Sequence, residues 1–197
     1  VYGNALEIPM TEDHPFNNDT FYGATKIAGE QMLHAFHKRY DLNYAGLRYM
    51  NVYGARQDYK GAYIAVIMKM LDKIDKGEQP EIYGDGSQTY DFIYVEDVAK
   101  ANICALKADQ TEGFYNIGSG KGTTIKELAE MIVDITGFEK GVKYNPQGKT
   151  FVSKRIGSTE KAIKELDFKT TIELEEGLKR LIEWRSAHKE KTQGGQA

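Results

Sequence analysis

The sequence from residue 21 to residue 54 reads FYGATKIAGEQMLHAFHKRYDLNYAGLRYMNVYG and joins a helical pattern to a strand pattern. Apolar residues recur at near-helical spacing between residues 22 and 40, which predicts a helix there. Aromatic and branched residues crowd residues 43–53 and are followed by Gly54, which predicts a strand. A helix followed by a strand in this way is typical of an α/β fold with a largely parallel sheet.

The rest of the chain continues this alternation. We predict helices over residues 62–76, 95–107, 124–136 and 158–166 and a last helix from residue 170, with short strands over residues 81–83, 90–94, 114–117 and 142–145. Asp19 or Thr20 is expected to cap the first helix, and Ser158 the fourth of the later ones. Two stretches, 124–127 and 170–173, have the form of capping boxes at helix starts.

Tyr22 and Lys26 stand four residues apart inside the first predicted helix. Four residues is just over one helical turn, so both side chains lie on the same face. An ammonium beside a phenol stabilises the phenolate and lowers a pKa that is ordinarily about 10. Such a pair suits a proton shuttle for a sugar hydroxyl. The same spacing also occurs on plain amphipathic helices, so the pair does not decide the function by itself.

Composition excludes several classes of protein. The formal charge of -3 is spread along the chain, which argues against a nucleic-acid surface. No apolar run reaches the roughly 18 to 20 residues of a membrane span, and no signal peptide is visible, so we expect no membrane partner. The four histidines form no ligand set, so we predict no metal site. A single cysteine, Cys104, cannot form an internal disulfide, and a cytoplasmic location is expected.

Five segments follow one another in a set order: VYG at 1–3, FYGATK at 21–26, LRYMNVYGARQ at 47–57, YGDGSQTYDFIYVEDVA at 83–99 and YNIGSG at 115–120. This series resembles the extended short-chain dehydrogenase/reductase family, in its nucleotide-sugar epimerase and dehydratase branch. It looks most like UDP-hexose 4-epimerases. The resemblance runs from Val1 to about Arg185.

The resemblance implies a fold class, which is α/β: the C-terminal part of a doubly wound Rossmann-like parallel sheet plus a smaller α/β substrate-binding lobe. It assigns residues 1–60 to the remainder of the Rossmann-like domain, with the Tyr-x-x-x-Lys pair. Residues 61–188 would form mainly the substrate-binding lobe, with some strands returning to the sheet. Residues 189–197 are expected to be a flexible tail.

By resemblance, Tyr22 and Lys26 are the catalytic pair of an enzyme that uses NAD. Tyr22 would shuttle the proton at the sugar C4 hydroxyl, and Lys26 would assist it and hold the nicotinamide ribose. The hexose would be inverted at C4 through a 4-keto sugar. Tyr49 and Met50 match positions beside the nicotinamide, although ordinary strand packing explains them equally well.

Six residues match substrate-binding positions of the family: Asn51, Arg56, Tyr83, Gly84, Tyr90 and Arg155. Asn51 stands at the end of a predicted strand, where ligands bind in α/β sheets. Arg155 matches an arginine that grips the diphosphate of the substrate, which is expected to be a UDP-sugar. Many relatives carry arginine where Tyr90 stands, which leaves the exact nucleotide-sugar open. Relatives are commonly dimers through the helix of the catalytic pair, so we expect a homodimer.

The 197 residues hold no Gly-x-x-Gly-x-x-Gly loop for the cofactor pyrophosphate. Because Val1 to Gly3 read as the end of a strand, we expect further residues upstream. The residues that separate epimerases from 4,6-dehydratases would lie there. Two alternatives therefore stay open: a dehydratase or decarboxylase of the same family, and a non-catalytic fragment that binds nucleotide-sugar.

Overall fold

The computed structural model describes residues 1–57, 65–108, 112–146 and 154–193, with side chains described as far as residue 188. The helices of these parts are α1 Phe21–Tyr40, α2 Val66–Asp75, α3 Val95–Lys107, α4 Ile125–Thr136, α5 Glu160–Leu166 and α6 Leu174–Gln193. The strands are β1 Tyr44–Tyr49, β2 Asn51–Tyr53, β3 Glu81–Tyr83, β4 Thr89–Tyr90, β5 Phe92–Tyr94, β6 Glu112–Ile117, β7 Thr123–Thr124, β8 Lys143–Asn145 and β9 Lys154–Arg155. The mixed α/β fold with parallel strand pairs confirms the predicted class.

Local hydrogen bonds set where α1 and α4 begin. Thr20 caps α1, because its hydroxyl oxygen accepts a hydrogen bond from the Gly23 N–H at 3.1 Å. Thr124 and Glu127 form the predicted capping box at the start of α4. Each cap joins residues three positions apart, so both helix starts depend on the local sequence.

Two other predicted caps are wrong. The N-cap of α5 is Thr159 and not Ser158, whose N–H instead donates to the Met10 carbonyl at 2.8 Å. The capping box at 170–173 does not form, because α6 begins at Leu174. The Thr171 N–H donates instead to the buried carboxylate of Asp97 at 3.0 Å. In both places a main-chain N–H donates to a distant segment, and the predicted local cap is not formed.

The strand predicted over residues 43–53 is divided at Met50. Its first part, β1, pairs in parallel with β6, and its second part, β2, pairs in parallel with β5. The Met50 N–H still donates to the Ile117 carbonyl of β6, whereas the Asn51 N–H donates to the Asp91 carbonyl. The strand therefore changes its neighbour between these two residues.

The strand predicted over residues 90–94 is likewise divided, here at Asp91. β4 pairs in parallel with β9 and antiparallel with β7, while β5 pairs with β2. β3 and β8 form a separate parallel pair. The helix predicted over residues 62–76 is present as α2, which begins at Val66 with Ala65 as its non-helical N-cap; residues 58–64 lie outside the described parts.

Two hydrophobic clusters hold these elements together. One joins α2, β3, α4 and α6, with Met68, Ile82, Leu128 and Leu181 among its fully buried members. The other packs α3 and α5 on β5 and β6. The division of the chain near residue 60 remains a prediction, and α6 continues through Gln193, beyond the predicted start of the tail at residue 189.

No helix in the described parts of the chain combines the length and the apolar character needed to cross a bilayer. Within the same residues, the His, Cys, Asp and Glu side chains form no group of three or more that could hold a metal ion.

Candidate active site

A cavity of about 790 Å³ opens between the start of α1, the strands β1 and β2, and β9. This volume lies within the range of small-molecule sites. Its lining includes six of the residues that the sequence singled out: Tyr22, Lys26, Tyr49, Met50, Asn51 and Arg155. The fold thus brings together residues that are up to 133 positions apart in the chain, as counted from Tyr22 to Arg155.

Tyr22 and Lys26 occupy one face of α1, at the side of the cavity. The Lys26 Nζ lies 5.2 Å from the centroid of the Tyr22 ring, which is a cation–π distance. Tyr22 is 72% exposed, and Lys26 is also exposed, so both polar ends are open to a ligand. The helical spacing expected from the sequence is therefore realised at the cavity.

Few contacts hold α1 against the rest of the molecule. Of its 20 residues, only Gly23 and Glu30 are buried. Glu30 makes a bidentate ion pair with Arg48 of β1, with N–O distances of 2.8 and 2.7 Å. The Arg48 guanidinium also donates to the Tyr2 hydroxyl and the Glu12 carbonyl, each at 2.9 Å. This ion pair joins α1 to β1, and Tyr22 and Lys26 lie at the cavity on the same helix.

Sequence reasoning missed this ion pair, although the sequence carried a signal for it. Tyr22, Lys26 and Glu30 are spaced four residues apart, which places all three on one face of the helix. Arg48 is a charged residue inside an otherwise apolar strand, and such a residue needs a partner when it is buried. The two observations together indicate that Arg48 needs an acidic partner, but they do not identify Glu30 as that partner.

Asn116 anchors the loop that precedes α1. It is fully buried, and its side chain accepts a hydrogen bond from the Tyr2 hydroxyl at 2.5 Å and donates to the Met10 carbonyl at 2.9 Å. Its N–H donates to the Glu12 carboxylate at 2.7 Å. These bonds hold Tyr2 and Met10, which line the cavity, and no local sequence pattern indicates them.

Met50 and Asn51 lie where the strand changes neighbours. The Met50 side chain fills a notch beside Gly118 and Gly157, since a Cβ at either glycine would collide with it. The Asn51 side chain donates from Nδ2 to the Asp91 carbonyl at 3.1 Å. Within the described residues the Asn51 Oδ1 accepts no hydrogen bond, so it can accept one from a ligand in the cavity that Asn51 lines.

Arg155 reaches the cavity from β9. Its Nε is buried and has no hydrogen-bond partner within the described residues. A buried donor without a partner costs about 1–3 kcal/mol, and more when it is charged. The guanidinium as a whole is suited to phosphate oxygens.

Tyr49 lines the cavity and also contacts α3. Its hydroxyl donates to the Asn102 side chain of α3 at 3.1 Å. This contact fits the strand-packing explanation that the sequence left open. A cofactor contact of Tyr49 remains a prediction.

Four of the predicted substrate residues do not belong to the described lining of this cavity: Arg56, Tyr83, Gly84 and Tyr90. Arg56 is exposed in the turn after β2, in a left-handed backbone conformation with φ of 67°. Tyr83 is 56% exposed at the end of β3, followed by Gly84 in the turn. Tyr90 is the register partner of Arg155 and packs against Phe92 and the larger hydrophobic cluster. Their roles also remain predictions.

Comparison with known proteins gives a consistent picture. The model of the family described as "NAD dependent epimerase/dehydratase family" matches residues 1–118. A protein of Methanocaldococcus jannaschii, provisionally named UDP-glucose 4-epimerase, is 41% identical over 186 residues, which cover 93% of this chain and 59% of the relative.

Two solved structures have the same fold. The UDP-N-acetylglucosamine 4-epimerase of Methanobrevibacter ruminantium, in complex with UDP-N-acetylmuramic acid, has a TM-score of 0.90 and 37% identity, over 95% of this chain and 60% of its own. The UDP-glucose 4-epimerase of Thermotoga maritima with UDP-glucose has a TM-score of 0.88 and 36% identity, again over 95% of this chain and 60% of its own. The chain spans about three fifths of the length of these relatives. The chain belongs to the NAD-dependent epimerase/dehydratase family.

Proposed function

We propose that this chain carries the catalytic pair and part of the substrate site of an NAD-dependent UDP-sugar 4-epimerase. The observation that carries the proposal is the cavity in which Tyr22 and Lys26 of α1 meet Asn51 and Arg155 from two different strands. The names of the relatives support the same reaction, since the two solved structures described above are UDP-sugar 4-epimerases.

Tyr22 is the proposed acid and base at the sugar. Its exposed phenol oxygen would take the proton of the C4 hydroxyl when the sugar is oxidised and give it back when the 4-keto sugar is reduced. The Lys26 ammonium stabilises the phenolate form of Tyr22 that accepts this proton, and Tyr22 holds the proton as a neutral phenol while the 4-keto sugar exists. Since Lys26 and Tyr22 share one helix, the spacing between them is the same whichever face of the sugar lies against Tyr22.

The residues present fit the nicotinamide end of NAD. Lys26 lines the cavity and has no ion pair within the described residues, so its ammonium is available to ribose hydroxyls as well as to Tyr22. Met50 and Tyr49 line the same cavity on the strand side. When bound, NAD supplies the acceptor and donor of the hydride that leaves and returns to the sugar carbon.

Arg155 and Asn51 are the proposed substrate-holding residues. The Arg155 guanidinium lines the cavity and suits a diphosphate oxygen, and the Asn51 Oδ1, which accepts no hydrogen bond within the described residues, suits a sugar hydroxyl. Arg155 is the last residue of β9, and Asn51 is the first residue of β2, two positions after β1 ends at Tyr49. The two residues therefore lie at the carboxyl ends of β9 and β1, where ligands bind in α/β sheets.

We also propose a homodimer in which α1 forms part of the interface. This helix leaves several large apolar side chains in water, among them Met32 at 61%, Phe36 at 48% and Tyr40 at 63% exposure. Light scattering after size-exclusion chromatography measures the mass directly, and a monomer at micromolar concentration would contradict this part of the proposal. A cytoplasmic location remains an expectation from the single cysteine.

The experiment is turnover of UDP-glucose by the protein expressed from its complete reading frame. We expect a hexose inverted at C4, no turnover in Tyr22→Phe, and binding of UDP-glucose by that variant close to that of the parent. Tyr144→Phe is the matched control, because this tyrosine is 50% exposed on β8 and lies outside the cavity lining.

Two outcomes would replace the proposal. Accumulation of a stable 4-keto-6-deoxy sugar would assign a 4,6-dehydratase. Unchanged turnover in Tyr22→Phe would show that this pair is not catalytic. Binding of UDP-glucose without any turnover or retained NAD would favour a non-catalytic nucleotide-sugar-binding chain.

A further inference from the structure

Asp91 is a fully buried carboxylate at the break between β4 and β5. Its Oδ1 accepts hydrogen bonds from the N–H and the hydroxyl of Ser119, at 2.7 and 2.6 Å. Its Oδ2 accepts one from the Gly120 N–H at 3.0 Å. These bonds join Asp91 to the loop that follows β6. A Cβ at Gly118 in this loop would collide with the Asp91 carboxylate, so the close approach requires glycine there.

The main chain of the same residue holds two residues of the cavity. The Asp91 N–H donates to the Arg155 carbonyl at 2.9 Å. The Asp91 carbonyl accepts from the N–H of Asn51 at 2.9 Å and from its side-chain Nδ2 at 3.1 Å. Asp91 is therefore bonded at one place to β2, β9 and the loop after β6. It does not itself line the cavity.

These bonds decide how Asn51 meets a ligand. Because Nδ2 is committed to the Asp91 carbonyl, the amide cannot rotate freely, and Oδ1 is left as the acceptor. The position of Arg155 along the strand depends on the neighbouring bond from the Asp91 N–H. A shift of Asp91 would move both residues together.

We propose that Asp91 is a positioning residue that fixes the placement of Asn51 relative to Arg155, and with it the binding of the nucleotide-sugar. This inference rests on the proposed function for the ligand, whereas the positioning itself is a property of this chain alone. Asp91→Asn is the informative change. If the remaining oxygen faces Ser119, the new NH₂ group faces the Gly120 N–H, so that two donors meet.

Asp97→Asn is a matched control. Asp97 is also fully buried and also accepts two backbone N–H bonds and one hydroxyl bond, from Thr171 and Ile172. It differs in one further bond, from the Lys100 ammonium at 3.0 Å. It lies on α3 and is outside the cavity lining. Both variants therefore lose a buried carboxylate that accepts backbone and hydroxyl bonds, and only Asp91 is bonded to residues of the proposed ligand site.

Two measurements on the same variants test the inference. Amide hydrogen exchange reads the bonds of the Asn51 and Asp91 N–H groups without any ligand. Titration calorimetry with UDP-glucose reads the consequence for binding. In Asp91→Asn we expect faster exchange at both amides, relative to the control variant, and a dissociation constant about tenfold higher. Asp97→Asn should leave the dissociation constant within about twofold.

Equal exchange and equal affinity in the two variants would overturn the positioning role, and so would faster exchange with unchanged affinity. If the unmodified protein does not bind UDP-glucose, the proposed function fails, and the exchange measurement still decides the positioning. Ser119→Ala keeps the backbone bonds to Asp91 and removes the hydroxyl bond to Asp91, together with the bond that this hydroxyl accepts from the Lys121 N–H at 3.2 Å. It covers the case in which Asp91→Asn does not fold. For that variant we expect a change in the same direction of about threefold in affinity.

Discussion

Replacement of Glu30 by alanine tests whether one ion pair positions α1, the helix of the proposed catalytic pair. Glu30 and Arg48 are nearly buried, with side-chain exposures of 10% and 8%, and they are joined by two hydrogen bonds of 2.7 and 2.8 Å. Glu30→Ala leaves the Arg48 guanidinium buried without its carboxylate. It also removes one of the two buried residues that dock α1.

The expected loss of stability follows from this geometry. Removing one partner of a buried ion pair destabilises a protein by about 3–5 kcal/mol. Arg48 keeps its bonds to the Tyr2 hydroxyl and the Glu12 carbonyl, so we expect the lower end, about 3 kcal/mol. For a chain of this size, that corresponds to a fall in melting temperature of roughly 6–12 °C.

Urea unfolding followed by circular dichroism measures the free energy of unfolding of the variant. Glu173→Ala is the control, because the pair of Glu173 with Lys121 is open to solvent, with exposures of 74% and 67%. Exposed pairs contribute about 0–1 kcal/mol. A loss in Glu30→Ala no larger than in Glu173→Ala would refute the docking role of the ion pair. Glu30→Leu combined with Arg48→Met should recover most of the loss, because no buried charge is then left without a partner.

Three further outcomes can be measured with the same chain. Gly23→Ala should destabilise the protein by about 1 kcal/mol in urea unfolding, because its Cβ would collide with the Asn18 side chain and disturb the helix cap, whereas Gly29→Ala, with open space around its Cβ, should stabilise it by about 0.5–1 kcal/mol. Arg155→Lys should weaken UDP-glucose binding about tenfold in calorimetry, since the charge stays but the forked geometry is lost; unchanged affinity would place the diphosphate elsewhere. Burial acts to raise the pKa of Asp97, but hydrogen bonds from backbone, hydroxyl and ammonium groups outweigh it and leave this pKa lowered. Its carboxylate therefore adds stability that is present above about pH 4 and is lost as the pH falls through the lowered value, so the stability difference between the parent and Asp97→Asn should shrink in acid; a difference that grew would contradict the sign.

Much of the fold could be predicted because the signals are local. The end of α1 at Tyr40, the Thr20 cap and the capping box at Thr124 all depend on contacts within one or two helical turns. The predicted strands over 43–53 and 90–94 are present, but the sequence did not show that each is divided. The division at Met50 arises because two different strands pair with the two halves, and neither partner is near in sequence.

The candidate site likewise has features that the sequence predicted and contacts that only the structure showed. The sequence by itself determined that Tyr22 and Lys26 share a helix face, because the helical repeat places residues four apart on one side. It also contained the motif series of the family, which the comparisons confirm. It did not show that Glu30 binds Arg48, or that Asp91 holds Asn51, Arg155 and the loop after β6.

Only the tertiary structure decided which side chains meet in the cavity. The partners of Asp91 lie 28, 40 and 64 positions away, at Ser119, Asn51 and Arg155. Such contacts depend on which strands pair and where a strand changes its neighbour, and local sequence preferences carry no information about either. Helix faces follow from a repeat that every residue obeys, whereas a buried polar bond depends on two segments that meet only after the chain has folded.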